Sequence, residues 1–177
     1  IRPRGNIYIS PSLPARPELV KNPPMISLPD YLKPLERVAC PFPEKAVEEA
    51  IARREESIPI FLEALEWTIN HAEEVPHDYM LHECALRLLA QFREIRAFEP
   101  ALRLTKHPLA NELIGDTLCA DLGCILASVS GGDLGPICEL IEDEEVDEFA
   151  RSAGLQALGV LCRAGQLSRK KFSGILG

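Results

Sequence analysis

In residues 142–165, EDEEVDEFARSAGLQALGVLCRAG, apolar side chains recur at helical spacing on two faces at once. Val146, Ala150, Ala153, Ala157, Val160 and Ala164 form a face of small residues, while Leu155, Leu158, Leu161 and Cys162 form a second. A helix on a protein surface buries one such stripe. Two stripes place this helix between neighbours, with small residues allowing close approach. Ser152, Gln156, Gly159 and Arg163 are left as a thin polar stripe.

The same periodicity runs upstream and predicts helices over 44–54, 58–73, 77–94, 98–106, 110–129, 134–142, 146–164 and 168–176. Pro43 and Glu44 suit the start of the first, because a first-turn Pro loses no hydrogen bond and an acid favours the positive helix end. VPHD at 75–78 and KHP at 106–108 stop helices with Pro, and SGGD at 130–133 does so with glycines. Asp133 is expected to cap the helix that follows. No segment sustains period-two alternation, so strands are not expected. Residues 1–24 carry six of the fifteen prolines and no helical period, reading as an extended arm or a non-native leader through residue 25. Residues 26–43 allow short helical turns at most, and 26–177 read as one helical domain.

The long helices repeat one another. HECALRLLAQFRE (82–94), DTLCADLGCILAS (116–128) and RSAGLQALGVLCR (151–163) align without gaps at offsets of 34 and 35 residues. Leu88, Leu122 and Ala157 coincide, as do Phe92, Leu126 and Leu161, and Ala85, Cys119 and Gly154 share a small position. Each is preceded by a shorter helix with a Pro near its start, Pro59, Pro100 or Pro136. A period in this range built from helix pairs is the mark of an all-α solenoid.

Composition narrows the function classes. Sparse aromatics, with one Trp, three Tyr and six Phe, agree with packed helices. The net charge is −8, and residues 1–24 carry +3, leaving −11 on the remainder. That body offers no clustered Lys and Arg for phosphates, so nucleic acid is not an expected partner. No apolar run reaches a membrane span. The six cysteines form no CxxC pair, and five fall in apolar helical patterns, so they are expected as buried free thiols in a cytoplasmic protein.

Candidate chemistry is thin. His77, His82 and Glu83 lie in HDYMLHEC, yet no second His follows Glu83 at HExxH spacing, so both histidines are expected to be exposed or capping. Glu48, Glu49, Glu55 and Glu56 read as a solvated helix face beside Arg53 and Arg54. SGGDLG lacks the Lys of a phosphate loop, and the acidic run EDEEVDE suits a solvated turn at a helix N-terminus or a basic partner. No catalytic set, metal site or cofactor is expected. The aligned helices instead place Glu83, Arg87, Gln91 and Glu94 beside Thr117, Asp121 and Ser128, and these beside Ser152, Gln156 and Arg163. Such ladders serve solenoids as extended binding surfaces, and their mixed charge points to a protein or peptide partner.

The sequence DEEVDEFARSAGLQALGVL resembles a HEAT repeat, with Phe149, Arg151, Ala153 or Gly154, Ala157, Leu158 and Gly159 at the corresponding places and GPICELIEDE as the repeat's first helix. From Met25 onward the chain is similar to a bacterial family of unknown function whose members often add a C-terminal SEC-C zinc motif. The resemblance implies a right-handed α-solenoid of about three HEAT-like hairpins with an N-terminal helical cap, truncated at the C-terminus. It carries no zinc site onto this chain. It leaves open a HEAT-like enzyme of the lyase type, a chaperone-like factor, or a support for a zinc module that follows.

Overall fold

A computed structural model describes residues 26–176. The arm expected over 1–25 lies outside them. The described chain is all-α: α1 Glu44–Ala52, α2 Arg54–Asn70, α3 Leu81–Phe92, α4 Phe98–Thr105, α5 Ala110–Ala120, α6 Leu122–Val129, α7 Gly135–Glu142, α8 Glu148–Arg163 and α9 Arg169–Leu176. Short 3-10 turns occupy Lys33–Leu35, Ala72–Glu74 and Ile95–Ala97. Among the described residues there is no strand, only an isolated bridge between Arg37 and Tyr79.

Local chemistry sets the ends. Asp147 accepts the Phe149 amide at 2.8 Å and caps α8. Beyond α8, Gly165 takes φ +74°, and its amide and that of Gln166 reach back to the carbonyls of Cys162 and Leu161. Arg93 ends α3 in the same left-handed way at φ +53°, a conformation that costs a side chain other than Gly. Arg54 offsets that cost. Its guanidinium donates to the Phe92 carbonyl at 2.9 Å and lies 5.4 Å from the Phe92 ring centroid, fastening the start of α2 to the end of α3.

Packing joins the helices in two series. α3 packs against α6, and α6 against α8, so the three helices aligned by sequence are neighbours in space. α2 packs against α3 and α4, and α7 against α8. Arg103 on α4 pairs with Glu66 on α2 at 3.0 Å, and Lys106 after α4 reaches Asp143 after α7 at 3.9 Å. One apolar core threads these contacts, including Phe61, Leu65, Leu86, Leu89, Leu104, Leu118, Leu122, Leu126, Leu140 and Leu158.

The structure corrects several expectations. The helix expected over 110–129 is broken twice, at Gly115 (φ +33°, ψ −117°) and at Asp121 between α5 and α6. The helix expected from 77 starts at Leu81, because Pro76 and the turn through Tyr79 come first. α2 is longer than α3 and carries Pro59 within it, so the short-then-long pairing fails there. Asp133 caps one residue early, accepting the Gly135 amide at 3.1 Å. On α8, Leu155 is exposed, and so is Ala164 just beyond its end, although both were assigned to buried faces.

The cysteines divide by exposure. Cys84 alone is buried; Cys40, Cys119 and Cys124 are exposed, and Cys138 and Cys162 are half-buried. Burial pushes the Cys84 thiol up to about 11. Ellman's reagent at mildly alkaline pH should therefore consume Cys40, Cys119 and Cys124 quickly and Cys84 only after denaturation. A Cys84→Ser variant that loses one fast-reacting thiol would overturn this assignment.

Candidate functional site

The strongest polar cluster on the helices joins four of the residues singled out by sequence. Arg87 projects from the middle of α3, one turn beyond Glu83, so both face the same neighbour. That neighbour is the one-turn segment between the breaks at Gly115 and Asp121. The Arg87 guanidinium donates through Nε to Asp121 Oδ2 at 3.0 Å, through one terminal nitrogen to Glu83 Oε2 at 3.2 Å, and through the other to Thr117 Oγ1 at 2.7 Å. Thr117 in turn donates to Glu83 Oε2 at 2.6 Å. Arg87, Glu83, Thr117 and Asp121 thus form a closed network across α3 and α5. Thr117 is fully buried beneath it, contrary to the expectation of an exposed rung.

The third rung follows directly. A Cβ placed on Gly123 would lie 2.5 Å from the Gln156 Cβ and 3.0 Å from the Ala153 carbonyl oxygen. Only Gly allows α6 and α8 to approach this closely. Gly123, two residues beyond Asp121, is thus where α6 meets Gln156 on α8. Gln91, Ser152, Gln156 and Arg163 are exposed. Glu94 is not on this face: it caps the turn after α3 and pairs with Arg96 at 2.8 Å, whose hydrogen bond holds its carboxyl below the usual range.

Sequence reasoning missed what lies at one end of the face. The C-terminal ends of α3, α6 and α8 enclose a groove of about 550 Å³, lined by Ile95, Ala127, Ser128, Val160, Leu161 and Ala164 among others. Ile95 is 61% exposed at its rim and packs over Gly131, which has φ +60°. The signal was present in the alignment, since Ser128 is level with Glu94 and Arg163 and marks where the three helices end.

Among the described residues no group of three or more His, Cys, Asp or Glu stands where it could hold a metal ion. No helix among them is long and apolar enough to cross a membrane. A family model described as a protein of unknown function, DUF1186, matches residues 27–174. The chain belongs to the DUF1186 family. It is 36% identical over 132 residues to an uncharacterized protein of Chlamydia trachomatis and 37% identical over 131 residues to one of Chlamydia muridarum. Each match covers 72% of this chain and 52% of the relative, so this DUF1186 chain spans about half the length of these curated relatives. No solved structure matches this DUF1186 chain.

Proposed function

We propose that the chain is a HEAT-like solenoid scaffold that binds a protein or peptide segment across α3, α6 and α8. The observation that carries this reading is the presence of two surfaces on the same three helices: exposed polar residues, and at the helix ends a groove whose lining mixes Ile95, Ala127, Val160 and Leu161 with Arg93, Ser128 and Gln166. A groove of that size takes one or two apolar side chains. The polar residues beside it then fix register without dominating the energy, because they lack the Trp and Tyr anchors of strong hot spots. Arg87 is held by Glu83, Thr117 and Asp121, so it acts as a rigid wall, and Gln91, Ser152, Gln156 and Arg163 face the partner.

Affinity in this arrangement is on the order of −8 kcal/mol, a micromolar dissociation constant, with moderate salt dependence. The test is selection from a random peptide library, followed by binding measurements on wild type, Ala164→Trp and Arg163→Glu. Selected peptides should share an apolar anchor flanked by polar residues. Ala164→Trp, at an exposed position, should fill the groove and weaken binding at least about tenfold, or about 1.4 kcal/mol, with its melting point unchanged. Peptides that bind the filled variant as well as wild type would overturn the groove as the binding surface.

A further inference from the structure

The groove at the ends of α3, α6 and α8 differs in charge from the molecule around it. The chain carries a net charge of −8, yet among the described residues the one charged side chain lining the groove is a cation, Arg93. Arg93 is exposed and forms no ion pair among the described residues. The same holds for Arg163, Arg169, Lys170 and Lys171, whereas the Lys and Arg of α2, α4 and the middle of α3 are paired with carboxylates. Arg163 adjoins Ala164, which lines the groove. Arg169 follows Gln166, another lining residue, by three positions, so their Cα atoms are at most about 11 Å apart. That is close to the range over which exposed charges act, and Lys170 and Lys171 extend the same positive edge. Because α6 packs against both α3 and α8, Arg93 and Arg163 flank it on two sides.

The negative groups beside the groove are engaged within the protein. Glu94 pairs with Arg96 at 2.8 Å, and Asp133 accepts the Gly135 amide at 3.1 Å. Carbonyls at helix ends attract cations when they are left unpaired. Here those of Leu89 and Ala90 accept the Glu94 and Arg93 amides, and that of Phe92 accepts Arg54. The Ala127 carbonyl accepts the Ser130 hydroxyl, and those of Leu161 and Cys162 accept the Gln166 and Gly165 amides. The guanidinium of Arg93 is therefore the charge that an occupant of the groove meets first.

The backbone at Arg93 is an independent reason to assign its side chain a role. Its φ of +53° is a conformation that Gly adopts without cost and that Gly usually supplies at the end of a helix. Among the described residues the Arg93 side chain makes no hydrogen bond or ion pair that would repay the strain. Strain kept at such a position points to function in the side chain.

We propose that the groove selects an acidic peptide segment. One apolar side chain enters over Ile95, Ala127 and Val160, and carboxylates on either side of it pair with Arg93 and lie in the field of Arg163 and the first turn of α9. A guanidinium suits this task, because it can hold a carboxylate through two parallel N–H bonds. The inference rests on the groove being a peptide site and adds the charge of its occupant.

Fluorescence anisotropy on the whole chain tests it with labelled, end-blocked heptapeptides. Three have a central Phe flanked by Glu, by Gln or by Lys, and a fourth is the Glu peptide with Ala in place of Phe. The Glu peptide with Phe should bind at least about threefold tighter than its Gln counterpart, and the Lys peptide weakest. That preference should shrink as salt rises from about 0.05 M to about 0.5 M. Arg93→Gly, which retains the left-handed turn, should remove most of the preference without lowering the melting temperature, and Arg93→Glu should reverse it. Equal binding of the Glu and Gln peptides, with both lost in Ala164→Trp, would overturn the acidic occupant and leave the groove as a peptide site. A preference unchanged in Arg93→Gly, or an Ala peptide that binds as well as the Phe peptide, would also overturn it. Failure of all four peptides to bind, or binding unaffected by Ala164→Trp, would overturn both readings.

Discussion

Acidifying the folded protein from neutral to about pH 5 will lower its stability with a slope of at most about 1.4 kcal/mol per pH unit, and His82→Gln will remove that slope. Burial of His82 is the main cause: it holds the folded pKa below the ordinary 6.5, against the Leu113 hydrogen bond and the Glu83 charge, and with help from Arg87. A depressed pKa in a base means that the unfolded chain takes up its proton first as the pH falls. The stability that a neutral His82 contributes is therefore complete above 6.5 and is lost progressively below it. Carboxylates act in a lower window. Arg96 lowers Glu94, Lys33 lowers Asp30 and Arg37 lowers Asp78, so their contributions persist until the pH falls below their ordinary values of 4.5 and 3.8. Urea unfolding at neutral pH and at pH 5 separates the two windows. A slope between those points that survives in His82→Gln would show that His82 does not control it.

Residues whose role depends on helical phase were legible in the sequence, and residues whose role depends on backbone breaks were not. Glu83, Arg87, Thr117 and Asp121 were aligned by the offset of 34 residues, and they meet because α3 is followed in space by the chain segment that sequence alignment placed beside it. Phase alone could not show that Thr117 is buried. That depends on Gly115 taking φ +33° and on the second break at Asp121, and hydrophobic periodicity does not register either. His82 was misread for a related reason. It was read as exposed or capping, and its burial comes from Tyr79 and Leu113, which reach it from before α3 and from α5. The thiols show the converse error. Cys119 and Cys124 sit in apolar runs, but beside the break at Asp121 they turn outward. The groove escaped notice because its lining comes from helix ends, where Ile95, Ala127 and Ala164 belong to no shared stripe.

The same substitution at two helical glycines will have opposite effects. Gly123→Ala will destabilise the protein by about 1–3 kcal/mol, the usual cost of overpacking. Gly159→Ala will stabilise it by about 0.5–1 kcal/mol, because an alanine in a helix loses less backbone entropy than a glycine. Neither glycine has a positive φ, so conformation alone favours Ala at both. Space decides the sign. At Gly159 a new methyl meets nothing within 4 Å, whereas at Gly123 it meets the Gln156 Cβ at 2.5 Å and the Ala153 carbonyl oxygen at 3.0 Å. Both obstacles at Gly123 belong to the rigid part of α8: one is backbone and the other the first side-chain carbon. Relief requires α6 and α8 to move apart. Each kcal/mol shifts the melting point of a chain this size by roughly 2–4 °C, so thermal unfolding resolves the difference. Two variants that shift in the same direction would show that Gly123 is not a contact point between the helices. Gly123 is also where α6 meets Gln156, so forcing α6 from α8 displaces Gln156 and widens the groove, which both helices line. Gly123→Ala should therefore weaken the selected peptides as well, at temperatures where the protein remains folded, while Gly159→Ala should leave that spacing intact.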